Sequence, residues 1–185
     1  MIWESGPWKK TLLEDADILE RWATKTSRKS QQAIIFEKKI LLAAYAMRKL
    51  KDADKICTAL HHKKINFKIY ERTNSKFTPS NWHHIDKHYN LNSKKSGTKG
   101  IWEVFDRIIH SHIFLLRFDD QENVDGFFIA SDTDIKENND LRFIDLGNFL
   151  KIVREIACDD PTGFQSSMDK DSKWYTKRWC SRHPL

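Results

Sequence analysis

Four side chains capable of chemistry share one stripe of the helix predicted over residues 98–110. They lie at i, i+3, i+4 and i+7 and are Glu103, Asp106, Arg107 and His110. Histidine exchanges a proton near neutral pH, and an arginine guanidinium holds a phosphate with a planar fork. Together they predict a site that positions an RNA phosphate and assists attack by the neighbouring 2′-hydroxyl. The structural alternative is that Glu103 and Arg107 form an ordinary ion pair and His110 marks the helix end.

Residues 105–111 resemble the signature of HEPN-type ribonucleases, in which an Arg precedes a His late in a helical bundle. The resemblance implies cleavage of RNA without a metal, by the Arg and His of two subunits that meet across a dimer. Arg107 and His112 fit the looser form of the motif, whereas His110 lies only three positions from Arg107. The resemblance implies that Arg107 binds phosphate, that His110 or His112 is the acid or base, and that Asp106 orients it. Ile108 departs from the family, which favours Asn, Asp or His there.

The C-terminal segment, residues 166–185, is expected to be a basic and aromatic tail. Its two residue classes alternate at Lys173, Trp174, Tyr175, Lys177, Arg178, Trp179 and Arg182. Aromatic rings stack on unpaired bases and cations hold phosphates, so this pattern is typical of a surface that binds single-stranded nucleic acid. The alternative is that Trp174 and Trp179 pack the tail onto the domain and leave the basic groups in water.

Two pairs of side chains have a spacing that metal ligands on one helix face use. His84 and His88 lie four apart, as do Cys57 and His61, but a third ligand can be named for neither pair. The three cysteines are widely separated and form no Cys-x-x-Cys pair, which predicts reduced thiols in a cytoplasm. We therefore expect neither a metal nor a cofactor, and we interpret residues 82–88 as a locally hydrogen-bonded segment.

The charge of the chain is unevenly distributed. The 185 residues carry a net charge of +6, yet residues 119–145 hold nine acidic and two basic side chains. A basic face attracts phosphate through counterion release, and the acidic stretch is a candidate surface for a protein partner.

The sequence contains no GxxxxGK, GxGxxG or GxSxG motif, which argues against P-loop, dinucleotide-fold and α/β-hydrolase chemistry. No apolar run reaches about 18 residues, so we expect a cytoplasmic protein without membrane contact.

Hydrophobic periodicity predicts the elements that position these candidates. We expect one α+β domain over residues 1–165, with an N-terminal helical part whose long central core helix spans residues 31–51. Alternation predicts a strand at residues 65–71, whereas the polar residues 90–100 are expected to form an exposed loop. A small antiparallel β-meander and a C-terminal helix are then predicted, with strands at 111–118, 126–131 and 141–146 and the helix at 149–157.

These observations favour a bacterial protein of the cytoplasm that associates with RNA or single-stranded nucleic acid. HEPN-like, metal-independent ribonuclease activity is one hypothesis, and it predicts a homodimer. The alternative is a non-enzymatic subunit, such as an antitoxin, immunity or defence-associated protein, that binds a protein through residues 119–145. Residues 3–9, 81–86 and 125–132 also resemble an uncharacterised bacterial protein family, which implies a bacterial origin and no mechanism.

Overall fold

The computed structural model describes residues 2–24, 29–78, 80–137, 139–168 and 170–184, without the side chains of residues 29 and 30. This part of the chain has an α+β fold. The helices are α1 Gly6–Ala23, α2 Lys29–Asp52, α3 Ile85–His88, α4 Ile101–Ile109, α5 Asp132–Lys136 and α6 Leu146–Ala157, with a 3-10 helix at Thr58–His62. The strands are β1 Lys64–Arg72, β2 Tyr89–Gly100, β3 Ser111–Phe118, β4 Val124–Ser131, β5 Leu141–Asp145, β6 Gly163–Met168 and β7 Trp174–Trp179.

A five-stranded antiparallel sheet forms the centre of the fold, in the order β2-β1-β5-β4-β3. The three consecutive strands β3, β4 and β5 are neighbours, and β1 and β2 extend the sheet beyond β5. The sheet is therefore larger than the expected meander. The helix expected at residues 149–157 lies within α6, but a separate hairpin, β6–β7, follows it, so α6 is not the last element of the described chain.

The polar residues 90–100 were expected to form a loop, and that prediction is wrong. They form most of β2, which pairs with β1 from Lys64↔Gly100 to Tyr70↔Lys94. β2 lies at the edge of the sheet, where lysines are common because they discourage pairing with another chain. The following helix α4 consequently begins only at Ile101. Within residues 82–88, which were interpreted as a locally hydrogen-bonded segment, the helical part is limited to α3.

The main core lies between the sheet and four helices, α1, α2, α4 and α6. Its apolar stripe on α2 is buried from Phe36 to Leu50, and α2 contacts α1, α4 and α6. Phe105 of α4 and Phe127 of β4 both meet the ring of Phe149 edge-on. These ring contacts tie two helices to the middle of the sheet, which fixes the position of α4 and the polar stripe it carries.

A smaller apolar cluster covers the opposite face of the sheet. Tyr70, Tyr89 and Phe128 pack there beneath Phe77 and Trp82, which come from the segment between β1 and β2. The described sheet is therefore covered on both faces. None of the described helices combines the length and apolar character needed to cross a bilayer.

Candidate nucleic-acid interface

The hairpin β6–β7 carries most of the basic and aromatic residues that the sequence singled out. Its strands pair in register from Gly163↔Trp179 to Met168↔Trp174. Because side chains alternate between the faces of a strand, Phe164, Met168 and Trp174 share one face. These three side chains are 66%, 55% and 71% exposed, respectively. Tyr175 lies on the other face and is also exposed. The end of the hairpin where Met168 pairs with Trp174, called the far end below, therefore presents aromatic groups in two directions.

The near end of the hairpin, where Gly163 pairs with Trp179, is attached to the domain. The backbone N–H of Arg178 donates to Thr58 Oγ1 at 2.8 Å, and its guanidinium lies 3.9 Å from Asp54 Oδ2. Trp179 is half-buried and covers Gly163, where an added Cβ would lie 2.5 Å from two atoms of the indole ring. Of the two tryptophans expected to pack onto the domain, Trp179 therefore packs against the other strand of the hairpin, and Trp174 is exposed.

The cations of the hairpin region are placed toward solvent. Lys173, Lys177 and Arg182 are exposed. Within the described ranges, Lys177 and Arg182 form no ion pair with a carboxylate. Arg178, in contrast, is engaged with Asp54 and lies over the ring of Phe164 at 5.5 Å. The expected boundary between domain and tail, at residue 165, falls inside β6.

The four residues predicted to catalyse RNA cleavage make separate contacts in the structure. Arg107 lies between Glu103, at 3.6 Å, and Asp134, at 3.5 Å, while Asp106 pairs with Arg48 of α2. His112 Nδ1 is 3.1 Å from Asp132 Oδ1, and His110 is an exposed residue at the end of α4. In the described part of one chain, no hydrogen bond or ion pair joins Arg107 to either histidine. Ribonuclease activity stays a prediction.

Asp134 is the centre of the contacts around Arg107. Its carboxylate is fully buried and accepts hydrogen bonds from the backbone and hydroxyl of Ser131 and from Arg142 Nη1, the last at 3.0 Å. Burial acts to raise the pKa of Asp134, but the hydrogen bonds from Ser131 and Arg142 outweigh it and lower the pKa. Arg107 therefore contributes to a charge-compensated contact between α4 and α5.

His88 is held by local hydrogen bonds, as the sequence suggested for this segment. Its Nδ1 lies 2.6 Å from Ser75 Oγ, its Nε2 lies 3.1 Å from the carbonyl oxygen of Asn81, and its ring stacks on Phe77. Both ring nitrogens are thus occupied by protein groups. His88 fixes the cover over the smaller apolar cluster and is not positioned as a metal ligand.

The acidic stretch 119–145 directs many of its carboxylates to internal contacts. Asp119 accepts from the backbone of Gln121 and Asn123, and Asp125 pairs with Arg117. Asp145 accepts from the backbone N–H of Asn148 and caps α6. These contacts stabilise turns and a helix start, which leaves less of the negative charge available to a protein partner.

One further group of polar side chains was missed by the sequence reasoning. Cys57, Asp159, Cys180 and His183 place one donor atom each within 4.8 Å of one another, the one such group among the described residues. The spacing Cys180-x-x-His183 was the available signal, since it brings two ligand types onto one turn. The sequence spacing had placed His61, and not these residues, at metal-ligand distance from Cys57, and the cluster does not include His61.

The ionisable groups of this cluster influence one another. Burial and a hydrogen bond with Asp159 raise the pKa of Cys57. Burial acts to raise the pKa of Asp159 as well, but hydrogen bonds from Cys57, His183 and Cys180 outweigh it and lower that pKa. Burial lowers the pKa of His183, but the contact with Asp159 raises it by more, so the net shift of this pKa is upward. The cluster is therefore a buried site where negative charge is compensated.

Comparison with protein-family models, with curated protein sequences and with solved structures gives no match for this chain.

Proposed function

We propose that this protein binds single-stranded nucleic acid through the far end of the hairpin β6–β7. The observation that carries the proposal is Trp174, which is 71% exposed although the neighbouring fold has buried most of its aromatic residues. Tyr175 is exposed next to it, and Lys173 and Lys177 flank the pair. Stacking on an aromatic ring requires a base whose face is free, and a single strand offers such bases whereas a duplex does not.

The positive charge of the region favours nucleic acid over a basic or an apolar partner. Residues 170–185 carry five basic and one acidic side chain. Cations interleaved with rings match the alternation of phosphates and bases along a single strand. The attachment of Arg178 to Thr58 and Asp54 supports this use, because it holds the near end of the hairpin in place while the far end projects.

The test is fluorescence anisotropy with labelled RNA and DNA oligonucleotides of roughly 12 nucleotides, within the range that such surfaces cover. We expect wild-type protein to bind the single strands and Trp174→Ala to bind roughly 5- to 150-fold more weakly, from about 1–3 kcal/mol of stacking. Trp3→Ala is the control, because Trp3 is 89% exposed and lies outside the hairpin. It should leave the affinity unchanged.

Two results would contradict the proposal. One is that wild-type protein binds neither oligonucleotide at low salt. The other is that Trp174→Ala and Trp3→Ala bind as wild type does, which would remove the hairpin from the interface. A duplex competitor of the same length and charge should displace the single strand poorly.

A further inference from the structure

The cluster of Cys57, Asp159, Cys180 and His183 joins three separate parts of the chain. Cys57 directly precedes the 3-10 helix, Asp159 follows the end of α6, and Cys180 and His183 follow β7. Cys57, Asp159 and Cys180 are buried, and the His183 side chain is 19% exposed. Two thiols, an imidazole and a carboxylate thus converge in one buried place, and buried ionisable groups in proteins are paired with one another or coordinate a metal.

The distances within the cluster are close to those of a tetrahedral metal site. His183 Nδ1 lies 2.9 Å from Asp159 Oδ1, Cys180 Sγ lies 3.5 Å from the same oxygen, and Cys180 Sγ lies 3.8 Å from Nδ1. Metal bonds of 2.0–2.3 Å at tetrahedral angles separate such donor atoms by about 3.3–3.8 Å. A shift of a few tenths of an ångström would therefore bring these three donor atoms to the spacing of metal ligands, and Cys57 Sγ lies within 4.8 Å of each of them.

The groups around the donor atoms hold them in this orientation. The backbone N–H of Cys57 donates to Asp159 Oδ2 at 2.6 Å, which leaves Oδ1 directed at His183 and Cys180. Cys180 and His183 exchange two backbone hydrogen bonds, at 3.2 and 3.1 Å, that close a tight turn between them. Hydrogen bonds of this kind orient the ligands of protein metal sites.

We propose that Cys57, Asp159, Cys180 and His183 bind a zinc ion. Two sulfurs, one imidazole nitrogen and one carboxylate oxygen form a donor set that zinc accepts, and four protein ligands make a closed structural site. On binding, each thiol loses its proton to solvent, and His183 binds through Nδ1 as a neutral ring. The ion fixes the hairpin β6–β7 to the body of the domain at its near end.

A catalytic arrangement of the same residues fits the geometry less well. In a Cys-His-Asp triad the two ring nitrogens of histidine serve different partners, one the nucleophile and the other the carboxylate. Here the same atom, His183 Nδ1, faces both Cys180 Sγ and Asp159 Oδ1. Convergence of all partners on one side of the ring is the geometry of a shared ligand.

The experiment measures metal on the purified, reduced full-length chain by elemental analysis, and then titrates metal-free protein with Co²⁺. We expect one equivalent of zinc per chain and, with Co²⁺, the ligand-to-metal charge-transfer absorption of cobalt thiolate. Cys180→Ser and Asp159→Asn should lose the zinc. Cys158→Ser is the matched control, because Cys158 adjoins Asp159 in the chain but lies outside the cluster, and it should retain the metal.

The proposal is wrong if the wild-type chain neither carries zinc nor shows the cobalt absorption, or if Cys57 and Cys180 are recovered as a disulfide from reduced, metal-saturated protein. Because loss of a ligand can unfold the chain, His183→Cys provides a second arm. It keeps a metal ligand at this position and should retain zinc while strengthening the cobalt thiolate absorption. Metal content is measured without nucleic acid, so this result and the test of the hairpin surface are independent.

Discussion

Asp134 is a fully buried carboxylate whose charge is compensated by Arg107, Arg142 and Ser131. The sequence placed Arg107 in a hypothetical catalytic stripe, and the structural alternative was an ion pair with Glu103. The structure contains that ion pair and adds Asp134, which the sequence could not place because it lies in a helix of only five residues after β4. Contacts between segments that are far apart along the chain leave no local pattern in the sequence.

Replacing Asp134 with Asn should destabilise the fold by about 3 kcal/mol, because Arg107 and Arg142 would lose the charge that compensates them. The pKa of Asp134 is lowered in the folded state. Its stabilising contribution is therefore present above about pH 4, near the unfolded pKa, and is lost as the pH falls through the folded pKa. Urea unfolding at pH 7 and at steps from pH 5 to 3 measures both effects.

The control for this change is Asp132→Asn, because Asp132 is exposed and contacts only His112 among the charged groups of the described chain. It should change the free energy of unfolding by less than about 0.5 kcal/mol. An Asp134→Asn protein as stable as wild type at pH 7 would show that the buried contact contributes nothing.

The elements differ in how well local pattern identified them. Residues 31–51 carry an apolar stripe wide enough to contact several elements, and α2 occupies Lys29–Asp52 with α1, α4 and α6 around it. β2 was missed because an edge strand exposes polar side chains and has a composition like that of a loop. The hairpin β6–β7 was missed for the same reason, since its exposed residues mix aromatic, basic and hydroxyl groups.

Gly126 in β4 lies where the sheet leaves no room for a side chain. An added Cβ would lie 2.3 Å from Phe143 Cζ and 2.4 Å from the carbonyl oxygen of Ile144, which belongs to the backbone of β5. Gly126→Ala should therefore separate β4 from β5 and cost about 3 kcal/mol, at the upper end for overpacking. Thermal unfolding measures this as a lowered Tm.

Gly100→Ala is the matched control, because an added Cβ there meets nothing within 4 Å. It should leave Tm within a few degrees of wild type. Equal Tm values for the two alanine variants would mean that β4 and β5 adjust to the extra methyl group without loss.

At the scale of the whole molecule, the proposed interface makes a prediction about salt. Each phosphate that a cation neutralises on a single strand contributes about −0.7 to the slope of log K against log salt concentration. Lys177→Gln should make that slope less negative by about 0.7, because Lys177 is an exposed cation of the hairpin. Anisotropy titrations at several salt concentrations measure the slope.

Lys151→Gln removes an exposed lysine from α6 and should leave the slope unchanged. If both variants change the slope by the same amount, the electrostatic attraction belongs to the overall charge of +6 and not to the hairpin.

The order of the strands also bears on how the chain acquires its fold during synthesis. β5 lies between β1 and β4, and it is the last of the five strands along the chain. Until residues 141–145 have left the ribosome, β1–β2 and β3–β4 exist at most as two separate hairpins, each with an unpaired inner edge. Such edges template pairing with other chains. A nascent chain stalled before residue 141 would therefore be the form most prone to aggregate.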